Sequence, residues 1–383
     1  MARPAVGLDI GSSCVKAIQL RHAGRGEVEI EKFGIAEVNV SGPPPTGAQA
    51  REAKAEAIRA AMRQAGISAK QVVTSVSGEP IIVRYIQLPD MPEHELQEAL
   101  KWEAEEYIPF SLDDVNLGSA ILGKTSDGSK VNVLLVAAKK DLVNERIDII
   151  NKANLKPVMV DVDSFAFLNC FELNYQPDAS SVTALINIGS TITNINVYYN
   201  GVSHFSRDIP IAGNSITSAI QNKLGKDWFE AEQMKIMEGA PGPTETLGAA
   251  EEEGEQTSLL NTIRGTVEKL SGEEADDNSP EAIATKVTRS TLSSLLAEIR
   301  RSIQFCENQA DGRPVEQAIL GGGGARMKNI TDYVSQELSL PVEIFDPLKR
   351  IRPRGSNIDT NTLNASKLFL GVGIGLALRK VID

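Results

Sequence analysis

The chain has 383 residues, of which 42% are hydrophobic and 23% are charged, and its formal net charge is −12. This length requires more than one hydrophobic core, since single cores seldom grow beyond about 250–300 residues. The negative net charge and the lack of a concentrated basic patch argue against sequence-independent binding to the phosphates of nucleic acid. We therefore expect a globular protein of several subdomains with no nucleic acid partner.

Cysteine use and hydropathy indicate where the protein works. Cys14, Cys170 and Cys306 lie far apart in the sequence, which is typical of a reducing compartment and not of a cysteine metal site. The N-terminus does not resemble a signal peptide, and the apolar run at 368–378 is shorter than the roughly 20 residues that cross a bilayer. We expect a cytoplasmic protein without direct membrane insertion.

The first third of the chain predicts an α/β unit that a second unit interrupts. Apolar strands are expected at 6–9, 15–21, 27–38 and 72–76, with a helix that ends near Gly66. A smaller unit then follows, with a strand, a helix, a hairpin and a second helix at 81–87, 93–107, 115–138 and 141–154. An apolar strand at 158–162 resumes the first unit, so the smaller unit is predicted to be an insertion.

The second half of the chain repeats the start of the first half. Strands at 182–188 and 192–199 flank a Gly-Ser-Thr turn, and LDIGSSCVKAIQL and INIGSTITNINVY share the order strand, glycine, polar turn, strand. This echo predicts a duplicated half-molecule. Residues 238–281 break the pattern, because twelve Asp and Glu against two Lys and Arg predict a solvated, flexible insert.

The first candidate motif is the turn after the first strand. Its residues are Asp9, Gly11, Ser12, Ser13, Cys14 and Lys16. A bound phosphate chain needs backbone N–H donors with no Cβ in the way, which Gly11 provides. Lys16 would add a positive charge, and Asp9 would hold Mg²⁺ through water. An ordinary hairpin with a polar turn is the alternative.

Three further motifs fit the same chemistry. The second turn carries Asn187, Gly189, Ser190 and Thr191, and the strand ending near 320 runs into Gly321, Gly322, Gly323, Gly324 and Ala325. A glycine run lets a backbone approach a base or an α-phosphate closely. After Gly213, a helix carries Glu232 and Lys235 on one face, where they would bind ribose and cover adenine or form a surface pair.

The order of these motifs resembles that of the actin-like ATPases. Phosphate turn, second phosphate turn, Glu-x-x-Lys helix, glycine-rich strand exit and glycine-bearing last helix follow one another over nearly the whole chain. The resemblance implies an α/β, actin/Hsp70-like two-lobed ATPase fold of duplicated ribonuclease-H-like subdomains. It also implies ATP or ADP, with Mg²⁺, in the cleft between the lobes.

The inserted unit narrows the resemblance to the PilM family of type IV pilus proteins. The segments LPDMP at 88–92, WEAE at 102–105 and YIPF at 107–110 are similar to that family, as is 161–166. The unit has the place and size of subdomain 1C in the related division protein FtsA, whose terminal amphipathic helix has no counterpart at the end of this chain. The implied domains are 1A at 1–77 and 158–181, 1C at 78–157 and a second lobe at 182–383.

The PilM resemblance implies an adaptor. PilM-like proteins bind ATP and hold the N-terminal cytoplasmic peptide of PilN between subdomains 1A and 1C, with main-chain hydrogen bonds and apolar pockets suited to an extended peptide. They are recruited in this way to the inner face of the inner membrane, where they join the alignment complex to the assembly motors. Pilus assembly and twitching motility are the expected processes.

Hydrolysis is expected to be slow. Asn187 stands where efficient actin-fold ATPases usually carry a carboxylate, and an amide cannot accept a proton from water. By resemblance, Asp163 would position the attacking water, and a helix N-cap is its alternative role. An actin-fold phosphotransferase and an FtsA-like filament protein are the alternative functions.

Overall fold

We describe a computed structural model of the chain. The structure describes residues 6–24, 27–38, 42–125, 127–242, 279–309, 313–354 and 358–379. The predicted flexible insert at 238–281 lies outside these residues, apart from its two ends.

The described residues form three sheets with helices packed on them. The strands, in chain order, are β1 Val6–Ile10, β2 Cys14–Gly24, β3 Glu27–Glu37, β4 Gln71–Val76, β5 Ile81–Pro89, β6 Val115–Lys124, β7 Lys130–Lys139, β8 Lys156–Val162, β9 Thr183–Ile188, β10 Thr193–Tyr199, β11 Val202–Ile209, β12 Gln317–Gly321, β13 Val342–Ile344 and β14 Arg352–Pro353. The helices are α1 Gly47–Gln64, α2 Glu93–Tyr107, α3 Lys140–Lys152, α4 Asp163–Tyr175, α5 Gly213–Leu224, α6 Trp228–Glu238, α7 Pro280–Gln309, α8 Ile330–Leu338, α9 Thr360–Ser366 and α10 Gly371–Leu378.

Two of the sheets share one strand order. The first runs β14-β3-β2-β1-β4-β8 and the second runs β11-β10-β9-β12-β13. In both, the first three strands in the chain pair antiparallel, the next strand pairs parallel with the first, and the last of the five pairs parallel with that strand. The duplication that the two glycine turns predict is therefore present in the sheet topology, with β14 added at one edge.

Central strands and a late helix build the core beside the cleft. β1 is buried at all five positions, as expected for a strand covered on both faces. α10 packs on β1 and α4, although it lies at the far end of the sequence. Its glycines permit this approach, since a Cβ at Gly375 would overlap the backbone carbonyl of Ala166. The end of β1 is thereby held at the cleft.

The third sheet, in the order β5-β7-β6, lies within the predicted insertion. α2 covers one face of it and buries Leu96, Leu100 and Ala104 against the sheet. α3, which the sequence places in the same insertion, instead packs on α1 and β8, and its Ile149 and Ile150 join the core of the first sheet. We propose that the insertion ends with β7 and that α3 belongs to the first lobe.

Sequence reasoning did not predict β11. Its Ser203, Ser206, Arg207 and Asp208 obscure the apolar alternation that identifies strands, because three of these side chains hydrogen-bond to the first lobe or to the insertion. In the part of the chain that the structure describes, none of the helices is long and apolar enough to cross a membrane.

Candidate functional site

A cleft of about 620 Å³ lies between the two lobes. It opens where β1 and β9 end, so the two glycine turns that follow these strands form part of its wall. The predicted site residues that line it are Asp9, Gly11, Ser12, Ser13, Cys14, Lys16, Asp163, Asn187, Gly189, Ser190, Thr191, Gly213, Glu232, Lys235, Gly322 and Gly323.

The two turns have the same geometry. Gly11 N donates to the Cys14 carbonyl at 3.1 Å, and Gly189 N donates to the Ile192 carbonyl at 3.0 Å. A Cβ would lie 2.9 Å from the Cys14 oxygen in the first turn and 2.7 Å from the Ile192 oxygen in the second, so each turn requires glycine. The hydroxyls of Ser12 and Thr191 lie 2.8 Å apart. The turns therefore face each other across the cleft.

A buried ion pair stands behind the first turn. Asp9 and Lys16 are paired across β1 and β2, and Lys16 Nζ lies 3.1 Å from Asp9 Oδ2. Burial opposes the charge on Lys16, but the Asp9 carboxylate and Cys14 together raise the pKa of Lys16 above its usual range. The Lys16 side chain, which lines the cleft, is therefore positively charged.

Glu232 and the buried Lys235 form a second ion pair, in the other lobe, in which 34% of the Glu232 side chain is exposed. Lys235 Nζ donates to Glu232 Oε2 at 2.5 Å and to Thr217 Oγ1 at 3.0 Å, while Thr217 Oγ1 donates to Glu232 Oε2 at 2.7 Å. Only 6% of the Lys235 side chain is exposed, so the alternative of an ordinary surface pair is wrong. Burial lowers the pKa of Lys235, and the Glu232 carboxylate opposes this shift. The pair ties α6 to the first turn of α5, next to Gly213.

The glycine run divides between cleft and core. Gly322 has φ +84°, and a Cβ there would lie 2.6 Å from Asn187 Oδ1. Gly321 and Ala325, which the sequence places at the nucleotide, are not part of the cleft wall that the structure describes. A Cβ at Gly321 would lie 2.6 Å from the Phe167 ring, and Ala325 is buried in the core of the second lobe. We attribute packing roles to these two residues.

Asn187 begins a chain of hydrogen bonds that reaches the first lobe. Its Nδ2 donates to Asn194 Oδ1 at 2.9 Å, and Asn194 Nδ2 donates to Asp208 Oδ1 at 2.7 Å. Asp208 Oδ2 accepts a hydrogen bond from Gly78 N at 2.6 Å, just before the inserted sheet. Burial raises the pKa of Asp208 to about 6, against the lowering effect of the two donors.

Asp163 is the first residue of α4 and faces the cleft. The N-cap of α4 is Val162, so the alternative that Asp163 caps the helix is wrong. Nearby, Arg146 Nη1 donates to the Ile10 carbonyl at 2.7 Å. Burial lowers the pKa of Arg146, while the carboxylates of Asp163 and Asp9 oppose this shift. Two carboxylates and a guanidinium thus meet at the end of β1.

Sequence reasoning missed several cleft residues. They are Lys54, Arg146, Asn194, Arg326 and Phe369. Arg326 lies over the Phe369 ring, with its Cζ 5.4 Å from the ring centroid. Lys54, Arg146 and Phe369 belong to none of the local motifs, because each reaches the cleft from an element whose position only tertiary packing sets. Arg326 follows the glycine run and Asn194 lies in the strand after the second turn, but neither residue was assigned a role from the sequence. The cleft wall therefore carries more positive charge than the two predicted lysines.

The sequence and the fold identify the family. The family model of the type IV pilus assembly protein PilM matches residues 7–247, which is more than half of the chain. The chain belongs to the PilM family. The family model of the cell division protein FtsA matches residues 184–365.

Solved structures give the same fold. A PilM–PilN type IV pilus biogenesis complex aligns with a TM-score of 0.76 at 24% identity and covers 100% of each chain. The ethanolamine utilization protein EutJ from Carboxydothermus hydrogenoformans aligns with a TM-score of 0.50 at 13% identity, over 98% of this chain and 89% of EutJ. The predicted actin-like ATPase fold is confirmed.

Curated relatives include two FtsA proteins. FtsA of Neisseria meningitidis serogroup B is 28% identical over 168 residues, 43% of this chain and 36% of the relative. FtsA of Buchnera aphidicola is 27% identical over 227 residues, 57% of this chain and 49% of the relative. The chain thus spans less than half the length of these relatives.

Proposed function

We propose that this protein is a nucleotide-binding adaptor of the type IV pilus machine. The observation that carries the nucleotide part is the pair of matching glycine turns, which face each other with Ser12 and Thr191 in contact. Backbone N–H groups in such turns suit phosphate oxygens. Lys16 from the first lobe and Lys235 from the second would add positive charge. ATP or ADP would therefore contact both lobes at once.

The residues present also fit Mg²⁺ that arrives with the nucleotide. Asp9 lines the cleft at the end of β1, beside the first glycine turn, where its carboxylate would contact Mg²⁺ through water. Among the described residues, no group of three or more His, Cys, Asp or Glu could hold a metal alone. Phosphate oxygens and water would therefore supply most of the ligands, as is usual for Mg²⁺ in nucleotide sites.

We expect bound nucleotide to act as a structural or switching ligand with slow hydrolysis. The amide of Asn187 already donates to Asn194, and an amide cannot take a proton from water. Asp163 is the cleft carboxylate that we assign to the attacking water. A pocket for a second substrate beside the nucleotide would favour the phosphotransferase alternative.

Nucleotide binding is tested by Gly189→Ala, with Gly118→Ala as the matched control. A Cβ at Gly189 would meet the turn's own carbonyl at 2.7 Å, whereas nothing lies within 4 Å of a Cβ at Gly118. We expect Gly189→Ala to weaken Mg-ATP binding at least tenfold in calorimetry, about 1.4 kcal/mol, and the control to bind normally. Wild-type protein should retain ATP with little phosphate release. Normal binding by Gly189→Ala or brisk release would contradict the proposal.

The partner that we propose is the N-terminal cytoplasmic peptide of PilN, held between the first lobe and the insertion. β8 is the last strand of its sheet, so one side of its backbone is available for pairing in the described structure. Its Val158 and Met159 are 39% and 43% exposed, which offers apolar contacts beside that edge. An extended peptide suits such a surface. Recruitment to the inner membrane, contact with other pilus components and motors, and a part in twitching motility follow from this proposal.

Titration with a synthetic PilN N-terminal peptide, in the presence of Mg-ATP, tests the adaptor role. We expect saturable binding that a scrambled peptide does not show. Met159→Asp should weaken it about tenfold, about 1.4 kcal/mol, while Ile121→Asp on the inserted sheet, 58% exposed, should not. If nucleotide binds and the peptide does not, the adaptor role is wrong, and the phosphotransferase and filament alternatives take its place.

A further inference from the structure

The outward side of α2 forms a ridge of carboxylates around one tryptophan. The helix buries Leu96, Leu100 and Ala104 against the inserted sheet. The opposite side carries Glu95, Glu98, Trp102 and Glu105, spaced three or four residues apart and hence in one line. We call these four residues the α2 ridge. All four are exposed, and Trp102 is 74% exposed.

Trp102 contributes nothing to packing that the structure shows. Within the described residues it takes part in no aromatic pair and no cation–π contact. The other tryptophan, Trp228, is half-buried and lines the cleft. A large indole left in water on a rigid helix forgoes the burial that normally stabilises it, and tryptophan is enriched among the residues that dominate protein interfaces. The position therefore marks a contact surface.

The charge around Trp102 determines what can cover it. Glu98, Glu105 and the adjacent Glu106 form no ion pair with any side chain that the structure describes, and Glu95 lies 3.8 Å from His94. Lys101 is the one lysine or arginine of the helix. Nucleic acid and the anionic surface of a membrane are both repelled by such a surface, so Trp102 does not serve as a lipid anchor. The complementary surface is cationic.

Arginine fits this surface better than lysine. A guanidinium stacks on an indole face and donates two parallel hydrogen bonds to a carboxylate, and here carboxylates lie one turn before and one turn after the indole. We propose that the α2 ridge is a docking surface for an arginine-bearing basic segment of a protein partner. The ridge is not part of the cleft wall or of β8, so this proposal rests on neither the nucleotide nor the PilN proposal.

The test uses the full chain with Trp228→Phe, which leaves Trp102 as the one tryptophan. The probes are a peptide of four Arg-Ala-Ala repeats and its Lys-Ala-Ala counterpart, titrated at about 50 mM and about 300 mM NaCl to vary screening. We expect saturable change in Trp102 emission with the arginine peptide, affinity roughly threefold or more above that of the lysine peptide, and weaker binding at high salt. An unchanged Trp102 emission would overturn the proposal.

Calorimetry on variants locates the binding. Trp102→Ala, and Glu98→Lys with Glu105→Lys, should each lower the affinity for the arginine peptide about fivefold or more. Phe305→Ala, which removes an exposed aromatic ring from α7, and Glu316→Lys, which reverses an exposed charge elsewhere, should leave it unchanged. Trp102, Glu98, Glu105 and Glu316 are exposed and form no aromatic pair or ion pair among the described residues, so thermal unfolding of these variants should be unaltered. Phe305 also forms an aromatic pair with Phe205, so the folding of Phe305→Ala is checked by the same measurement. Equal affinity in Trp102→Ala and wild type would show that the peptide binds another acidic part of the chain, and the α2 ridge would be rejected.

Discussion

At the scale of single residues, Asp208 connects more of the molecule than its place in an irregular strand suggests. It accepts hydrogen bonds from Asn194 in its own lobe and from Gly78 N at the start of the insertion. Through Asn194 it is joined to Asn187 at the second glycine turn. A carboxylate accepts from the two donors with one oxygen each, whereas an amide in the same place has only one acceptor oxygen.

The raised pKa of Asp208 predicts a pH dependence of stability. The folded state keeps the proton up to about pH 6, whereas the unfolded chain loses it near the ordinary pKa of an aspartate, 3.8. Between these values the folded state binds more protons, so the free energy of unfolding falls as pH rises and levels off above about 6. Two pKa units correspond to roughly 3 kcal/mol at most.

Asp208→Asn isolates this effect, because an amide does not titrate. Chemical unfolding of both proteins from about pH 4 to about pH 7 should show wild type losing stability relative to the variant as pH rises, by up to roughly 3 kcal/mol. Asp178→Asn, at an exposed carboxylate far from this network, serves as the control. If the free energy of unfolding changed with pH in the same way for wild type and Asp208→Asn, ionisation of Asp208 would not destabilise the folded state.

At the scale of elements, α10 shows how a helix from the end of the chain supports the site at its beginning. It contacts β1, β2 and α4, and all eight of its residues are buried. The glycine spacing brings its backbone close to these neighbours, since a Cβ at Gly373 would lie 2.8 Å from the Ile18 side chain. The position of Asp9 at the end of β1 thus depends on a glycine-bearing helix.

Gly375→Ala tests this dependence. Its Cβ would overlap the Ala166 carbonyl, a backbone atom that cannot rotate away, so we expect a loss of about 2–3 kcal/mol or more, as in overpacked cores. The measurement is the shift of the urea midpoint against Gly118→Ala, where the new methyl meets nothing within 4 Å. Equal midpoints would show that α10 can move away from α4 at little cost.

At the scale of the whole molecule, the two lobes present matching turns to one cleft. Each lobe contributes a glycine turn and a buried lysine, Lys16 from the first and Lys235 from the second. A ligand that contacts both lobes binds the folded protein and not the unfolded chain, and therefore stabilises the fold by mass action. The proposed nucleotide should act on the stability of both lobes together.

We therefore expect Mg-ATP to raise the thermal midpoint of the wild-type protein. At a concentration about 100 times the dissociation constant the added stability is about 2.7 kcal/mol. At this concentration the ligand is at most about ten times the dissociation constant of Gly189→Ala, so the added stability of that variant should not exceed about 1.4 kcal/mol, while Gly118→Ala should respond like wild type. An equal rise in all three proteins would indicate that the nucleotide binds away from the second turn.

Much of the architecture can be predicted from contiguous residues. The turns after β1 and β9 each combine glycine, small polar residues and flanking apolar strands within about ten positions, so the local sequence suffices to identify them. The bounds of α2, Glu93–Tyr107, agree with the predicted helix because an apolar face and Pro109 delimit it. The fold class and the PilM family follow from the order of such segments.

Sequence alone thus determined the two turns and the family, because each is written in neighbouring residues or in their order, and the same order predicts the insertion. The tertiary structure decided which side chains meet. It brought Arg146 and Lys54 into the cleft, placed Gly321 and Ala325 in the core, packed α3 on α1 and β8, and joined Asp208 to Gly78. These outcomes depend on how elements far apart in the chain pack against one another. The local periodicity of hydrophobic residues does not predict such packing.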